Sequence, residues 1–285
     1  MKIAIIVNLS KEKAIVCAAQ MVQLLRQEGA AIYMPPDCER VFPDSGVTFA
    51  ATQEQLFATA DAAVTVGGDG TIIHAAKYAA LTGTPLIGVN VGRLGFAADV
   101  EMDEIADLKK LLTGDCFCEQ RLVLEVEVRK PGGAKSFLAV NDAVVTHAAL
   151  SKIVDFTLSV GGEEVSRYRA DGLLFSTPTG STAYSLSAGG PIVAPGMDCI
   201  LMTPVCPHSL FARSVVFDAA SELGVTVKIP PGCGCVLTID GDTNINITEA
   251  DTVLVRRSSK QLTMLSVKQR NFYQKLNEKL KEREL

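Results

Sequence analysis

Hydrophobic positions in the first hundred residues switch between two periods. Ile3–Val7 is a continuous apolar, β-branched run, the pattern of a strand covered on both faces. Lys11–Glu28 then sets Ala14, Cys17, Met21, Leu24 and Leu25 along one helical stripe, and Gly29 stops it. Ala31–Met34 predicts a second strand, Pro35–Gly46 a loop and Ala62–Val66 a third strand. Thr71–Leu81 predicts a helix, Pro85–Val89 a fourth strand and Asp103–Leu112 a short helix. Alternation of strand and helix predicts an α/β domain with an open, mostly parallel sheet and helices on both faces.

From Arg121 the period changes to that of strands. Leu122–Arg129, Phe137–Val145, Ile153–Val160 and Leu173–Ser176 are alternating or β-branched runs, and Pro131-Gly132-Gly133 and Gly161-Gly162 punctuate them as turns. Val225–Ile229, Val236–Ile239, Thr252–Arg256 and Leu262–Val267 continue the series. A second, predominantly β domain follows. The tail returns to a helical pattern, with Phe272, Leu276 and Leu280 on one face among charges. The expected organisation is therefore an α/β domain over 1–115, a β domain over 116–267, and a helix over 268–285 that packs on the first domain.

Composition narrows the classes. The chain has 285 residues, 48% hydrophobic and 21% charged, enough to bury a core without staples and incompatible with wholesale disorder. A net charge of −5 with no basic stripe argues against nucleic acid as a partner. No apolar run has the length of a membrane span, and the start MKIAIIVNLS turns polar too soon for a signal peptide. The eight cysteines are scattered and read as reduced thiols of a cytoplasmic protein. The C-x-C pairs Cys116/Cys118 and Cys233/Cys235 lack the spacing and nearby histidines of a zinc site, so no protein-built metal site is expected.

Four motifs carry chemistry. Gly67-Gly68-Asp69-Gly70-Thr71 lies between a strand and a helix. Its glycines let backbone N–H groups approach a phosphate, and the helix start adds partial positive charge. A carboxylate inside an anion-binding loop repels phosphate unless it has a role. It can accept a proton from an attacking hydroxyl, hold a divalent cation, or merely cap the helix. The second motif is the uncharged, hydroxyl-rich Thr177–Pro191, punctuated by Tyr184, Leu186 and Pro191. The third is Asn141-Asp142, a polar pair inside the apolar run Phe137–Val145. It belongs at a cavity edge, where a ribose diol would satisfy it, or bonded to itself. In the fourth, Arg169-Ala170-Asp171-Gly172, Arg and Asp share one face of an extended segment and either pair with each other or bind a ligand.

In these motifs and their order, the chain resembles the NAD kinases. The likeness rests on GGDGT, VNVGRLGFAADV (Val89–Val100), NDAVV (Asn141–Val145), RADGLLFSTPTGSTAYSLSAGGPIV (Arg169–Val193) and PHSLFARSVV (Pro207–Val216), and extends over nearly the whole length. The resemblance implies phosphorylation of the 2′-hydroxyl of the adenosine ribose of NAD by ATP, or a similar donor, with Mg²⁺. It makes Asp69 the catalytic base or hydroxyl-orienting group. Gly68, Gly70 and Thr71 would line the phosphates and His74 would lie close by. Asn141 and Asp142 would hold NAD hydroxyls. Lys152, Arg169 and Asp171 would be further contacts, the last two reaching across a subunit interface of a homodimer or homotetramer. Thr182, Ala183, Tyr184, Ser185, Leu186 and Ser187 fall in the loop that would enclose adenine and ribose, with His208 near the site. Asp142 stands where the family usually has Glu, one methylene longer. Asp242, in Asp240-Gly241-Asp242, stands where a neutral amide is frequent.

Two other readings share parts of this pattern. A lipid kinase of the diacylglycerol or sphingosine type carries a similar glycine loop and a β second domain, but needs an apolar entrance. A non-catalytic nucleotide sensor would need Asp69 to be purely structural.

Overall fold

The computed structural model describes residues 1–43, 45–92, 95–148, 153–209, 212–269 and 271–282, with side chains in the last segment described to Glu278. The chain divides into two compact units, one of Met1–Gln120 with Gln261–Leu285 and the other of Arg121–Lys260.

In the first unit the elements are β1 (Lys2–Val7), α1 (Glu12–Gln27), β2 (Ala31–Met34), β3 (Thr48–Phe49), α2 (Gln53–Thr59) and β4 (Ala62–Gly67). They continue with α3 (Asp69–Thr82), β5 (Leu86–Asn90), β6 (Val100–Glu101), a 3-10 segment Met102–Leu108 and α4 (Lys109–Thr113). The main strands lie parallel in the order β5-β4-β1-β2-β3. Five of six residues in β1 and all of β4 and β5 are buried, as expected when helices cover a parallel sheet. Ala14, Cys17, Met21 and Leu25 of α1 join Ile3, Ile5 and Val64 in the core. Helix α1 ends on Gly29 at φ 84°, a left-handed position that costs glycine nothing. Strand β3 and helix α2, whose start is capped by Thr52 Oγ1 accepting from Gln55 N at 3.2 Å, are too short to leave a periodic signal.

The second unit begins within β7 (Phe117–Lys130), followed by β8 (Gly133–Ala139), β9 (Asp142–His147), β10 (Val154–Val160), β11 (Glu163–Ala170) and β12 (Gly172–Ser176). A 3-10 turn, Thr179–Thr182, leads into the single-turn α5 (Tyr184–Ser187). Then come β13 (Cys199–Val205), β14 (Val215–Asp218), β15 (Leu223–Lys228), β16 (Cys235–Ile239), β17 (Thr243–Ile247) and β18 (Thr252–Ser266). One sheet runs β14-β13-β12-β9-β16-β17 and is antiparallel at every pairing. Strands β11, β10, β15 and the first half of β18 form another, joined by β7 and β8. Both sheets feed one core, with Leu124, Phe156 and Val225 from one and Val145, Phe175 and Leu237 from the other.

Two expectations change. Phe137–Val145 is two strands, not one: β8 pairs with β7, whereas β9 lies between β12 and β16 in the other sheet. The chain leaves one sheet and enters the other at Val140-Asn141, where the polar pair begins. Conversely, Thr252–Arg256 and all of Leu262–Val267 but its last residue belong to one long strand, β18, whose far end pairs Met264 with Leu86 of β5. The tail forms α6 (Phe272–Glu282). Its Lys275 Nζ donates to the carbonyl of Phe96 at 3.0 Å and to that of Ala98. Among the described residues no helix is long and apolar enough to cross a membrane.

Candidate functional site

The first constellation lies at the carboxyl ends of β1 and β4. From these neighbours the chain departs in opposite directions, to β2 and β3 on one side and to β5 on the other. Such a switch point leaves a crevice, because the two connections cross on opposite faces. A pocket of about 580 Å³ occupies it. After β1 it is lined by Asn8, Leu9 and Lys11, and after β4 by Gly68, Gly70, Thr71 and His74, with Asp37 and Gln53 completing it. Asn8 Nδ2 donates to Thr71 Oγ1 at 3.3 Å, tying the two strand ends together. Gly67 must lack a side chain, since a Cβ there would stand 2.4 Å from Thr71 Oγ1. Helix α3 starts at Asp69 with Gly68 as its cap residue and no side-chain cap; Thr71 N already donates to the Gly68 carbonyl at 3.0 Å, so the N–H groups before it are the ones a helix start can offer an anion. His74 is exposed, its ring edge-on to Tyr78.

Asp69 does not cap its helix. Its carboxylate faces the segment after β5, where Oδ2 accepts from Phe96 N at 2.9 Å and Oδ1 from Ala97 N at 3.2 Å. Close approach depends on Gly95, because a Cβ at that position would stand 1.9 Å from Asp69 Oδ1. One carboxylate is thus held by two N–H groups, each taking a single lone pair. Lone pairs on both oxygens remain for a hydroxyl proton or a cation. Lys275 of α6 grips the carbonyls of Phe96 and Ala98 from behind, so the tail helix braces the segment that orients Asp69.

The second constellation is in the β unit. Asn141 and Asp142 sit where β9 begins, beside the hydroxyl-rich loop that follows β12. Thr177 Oγ1 donates to the Val140 carbonyl at 2.6 Å and Thr177 N to that of Asn141 at 2.9 Å. Gly180 packs against the same turn, where a Cβ would stand 2.2 Å from the Asn141 carbonyl oxygen. Asp142 is 6% exposed. Burial, followed by the nearby negative charge of Asp240, pushes its carboxyl up to about 7. Among the described residues the buried side-chain polar atoms without a hydrogen-bond partner are Gln53 Oε1, His147 Nδ1 and Thr179 Oγ1. Tyr184 is exposed, and its phenol is raised by burial and by the nearby charges of Cys206, Asp142 and Asp171. Ser185 is buried, its hydroxyl shared with Thr203 Oγ1 at 3.2 Å. Thr182 Oγ1 bonds back to the Thr179 carbonyl at 3.4 Å. Ala183 and Leu186 are half-buried, and Ser187 is exposed.

Arg169 and Asp171 do not pair with each other. Arg169 Nε lies 3.3 Å from Asp155 Oδ1, and Asp171 Oδ1 lies 3.3 Å from His147 Nε2. The chain leaves β11 at Ala170 and enters β12 at Gly172, so strand alternation does not carry through the pair. His208 donates its backbone N–H to the Arg169 carbonyl at 2.7 Å. Lys152 lies outside the described residues. The sequence reading missed Asn8, Lys11, Gln53, His147 and Asp240. The first two sit just past the carboxyl end of β1, where the rule for open α/β sheets would have pointed; the others carry no local signal. The thiol of Cys235 is pushed up to about 12 by burial, and Cys233 Sγ donates to the Gly234 carbonyl at 3.4 Å.

Comparison with known proteins places both units. The family model described as the ATP-NAD kinase N-terminal domain matches residues 3–116, and the ATP-NAD kinase C-terminal domain model matches 140–267. An NAD kinase from Symbiobacterium thermophilum is 38% identical over 283 residues, covering 98% of each chain. One from Geobacter sulfurreducens is 41% identical over 231 residues, covering 80% of this chain and 81% of its own. The fold is shared with the crystal structure of yeast NADH kinase complexed with NADH, with a TM-score of 0.88, 23% identity and coverage of 98% of this chain and 87% of that one. It is also shared with an NAD kinase from Archaeoglobus fulgidus in complex with ATP, with a TM-score of 0.75, 23% identity and 99% of each chain covered. With both family models matched in order and relatives above 30% identity along its whole length, this chain belongs to the NAD kinase family.

Proposed function

We propose that this chain transfers the terminal phosphoryl group of ATP to the 2′-hydroxyl of the adenosine ribose of NAD, giving NADP. The observation that carries this reading is the Asp69 carboxylate, held by the N–H groups of Phe96 and Ala97 within a glycine loop that opens a helix. A ribose hydroxyl is a weak nucleophile at neutral pH. A carboxylate fixed beside it accepts its proton, or orients it, as the bond to phosphorus forms. The phosphate chain lies against Gly68, Gly70 and Thr71 with His74 alongside, where the helix start offers N–H donors.

Residues 1–115 serve the donor in this reading, 116–267 bind NAD, and 268–285 brace the first domain. Asn141 and Asp142 hold ribose hydroxyls, a role that suits a polar pair at the point where the chain passes from one sheet to the other. The Thr182–Ser187 segment, Tyr184 above all, encloses adenine and ribose. Lys152, Arg169 and Asp171 complete the NAD site, the last two across a subunit interface in a homodimer or homotetramer. The setting is the cytoplasm, which suits eight reduced thiols.

A divalent cation, Mg²⁺ by chemistry, fits this donor set as a companion of the phosphates rather than as a caged ion. Among the described residues no three His, Cys, Asp or Glu side chains converge, and Mg²⁺ is commonly held by one or two carboxylates plus phosphate oxygens and water. Asp37, which lines the pocket, and Asp69 are the carboxylates able to contribute. When bound, the ion neutralises charge on the transferring phosphoryl group. The test is formation of NADP from NAD and ATP by the purified chain. Absence of product, with folded protein and Mg²⁺ present, overturns the reading.

A further inference from the structure

We propose that Asp240, at the start of the turn between β16 and β17, is a positioning residue for NAD: its carboxylate clamps the backbone of Val140–Asp142 and thereby aims the Asn141 and Asp142 side chains. The inference rests on the function proposed above.

The clamp accounts for four of the six backbone polar groups of three residues. Asp240 Oδ2 accepts from Val140 N at 3.0 Å, and Oδ1 accepts from Asn141 N at 2.7 Å and from Asp142 N at 3.0 Å. The Asp240 N–H returns a bond to the Asp142 carbonyl at 2.9 Å. The carbonyls of Val140 and Asn141 are taken from the other side by Thr177 and Ser176. Every N–H and C=O of the three residues therefore has a partner outside the segment. Here the chain leaves β8 for β9 in a different sheet, and between Ala139 and Asp142 neither strand's ladder supplies acceptors for the N–H groups, so a side chain does so. A carboxylate accepting three N–H bonds is a strong, charge-assisted anchor.

Turn chemistry alone does not require a carboxylate here. Asp240 adopts φ 48°, followed by Gly241 at φ 76°. Asn or Gly would serve a left-handed turn position equally well. The carboxylate adds two things that neither supplies: enough acceptors for three donors, and a negative charge beside the buried Asp142. That charge and burial together hold the Asp142 carboxyl toward its protonated form. Tyr184, whose phenol feels Asp142 in turn, is the other titratable group coupled to it.

The experiment compares Asp240→Asn and Asp240→Gly with the wild-type chain, using NADP formation across pH and calorimetric NAD binding. Both replacements accept a left-handed backbone. The expected result is a rise of about tenfold in the NAD KM with the ATP KM within about twofold. The Asp142-dependent limb of the NAD kcat/KM profile should move to lower pH, because a neighbouring negative charge has gone. A merely structural Asp240 would lower the melting temperature without moving that limb. Unchanged NAD KM and an unchanged limb in both variants overturn the proposal. Failure of both variants to fold overturns it as well, by assigning Asp240 to folding alone. A wild-type chain that makes no NADP refutes the underlying function instead.

Discussion

Gly95→Ala tests whether catalysis depends on how Asp69 is held. Gly95 is buried, and the Cβ added there would stand 1.9 Å from Asp69 Oδ1 and 2.6 Å from its carboxyl carbon. Ordinary contact begins near ~3.5 Å, so the carboxylate or the segment must retreat by on the order of 1.5 Å. Retreat breaks the bonds from Phe96 N and Ala97 N, which are 2.9 and 3.2 Å long. A displacement of about 1 Å at a reacting group can cost about 10²-fold in rate. The expected kcat of Gly95→Ala is therefore lower by about that factor. NAD affinity by calorimetry should change little, because Asn141, Asp142 and the Thr182–Ser187 loop are untouched. Gly132→Ala is the control: it lies in the β7–β8 turn with nothing within 4 Å of the added Cβ and should match wild type. If Gly95→Ala keeps kcat within a few-fold of wild type, the position of Asp69 does not set the rate.

Asp69→Asn removes the proton acceptor and turns an amide N–H₂ toward one of the two N–H donors. The expected loss is about 10²–10⁴-fold in kcat with NAD still bound; near-normal turnover would make Asp69 structural. Asp142 binds its proton more tightly folded than unfolded, since its carboxyl is raised from 3.8 to about 7. Wild-type stability should therefore fall as pH rises through roughly 4 to 7 and level off above. The melting temperature of Asp142→Asn, compared with wild type, should gain over that window, whereas a constant difference would place the Asp142 titration elsewhere. Lys275→Met removes the brace on the carbonyls of Phe96 and Ala98. It should lower kcat by about three- to tenfold with both KM values unchanged, and an unaltered kcat would make the α6 contact incidental to catalysis.

The α/β unit was legible because burial on both faces writes itself into sequence: Ile3–Val7 and Ala62–Val66 are uniformly apolar because helices cover them. GGDGT was legible because a glycine run between a strand and a helix suits an anion-binding loop, although only Gly67 is barred from a side chain, by Thr71 Oγ1 at 2.4 Å. The β unit was legible in kind but not in wiring. Strand β11, EEVSRYRA, is largely exposed and carries no hydrophobic signal. Strand β13 contains Pro204, which argues against a central strand. The proline is tolerated because pairing with β14 runs only from Cys199 to Met202. Local pattern cannot tell that Phe137–Val145 crosses between sheets, since both halves are apolar and the difference lies in distant partners. The same holds for the site. Asp69 and the pair Asn141-Asp142 stood out in the sequence as polar groups in need of a partner, the pair because a carboxylate and an amide inside an apolar run are costly unless something binds them. Which backbone groups hold them was decided only when residues 27 and 98 positions apart met, Asp69 with Phe96 and Asp142 with Asp240. Sequence period reports which face a residue buries, whereas orientation of a carboxylate depends on N–H groups supplied by remote segments, which only the tertiary structure brings within hydrogen-bond distance.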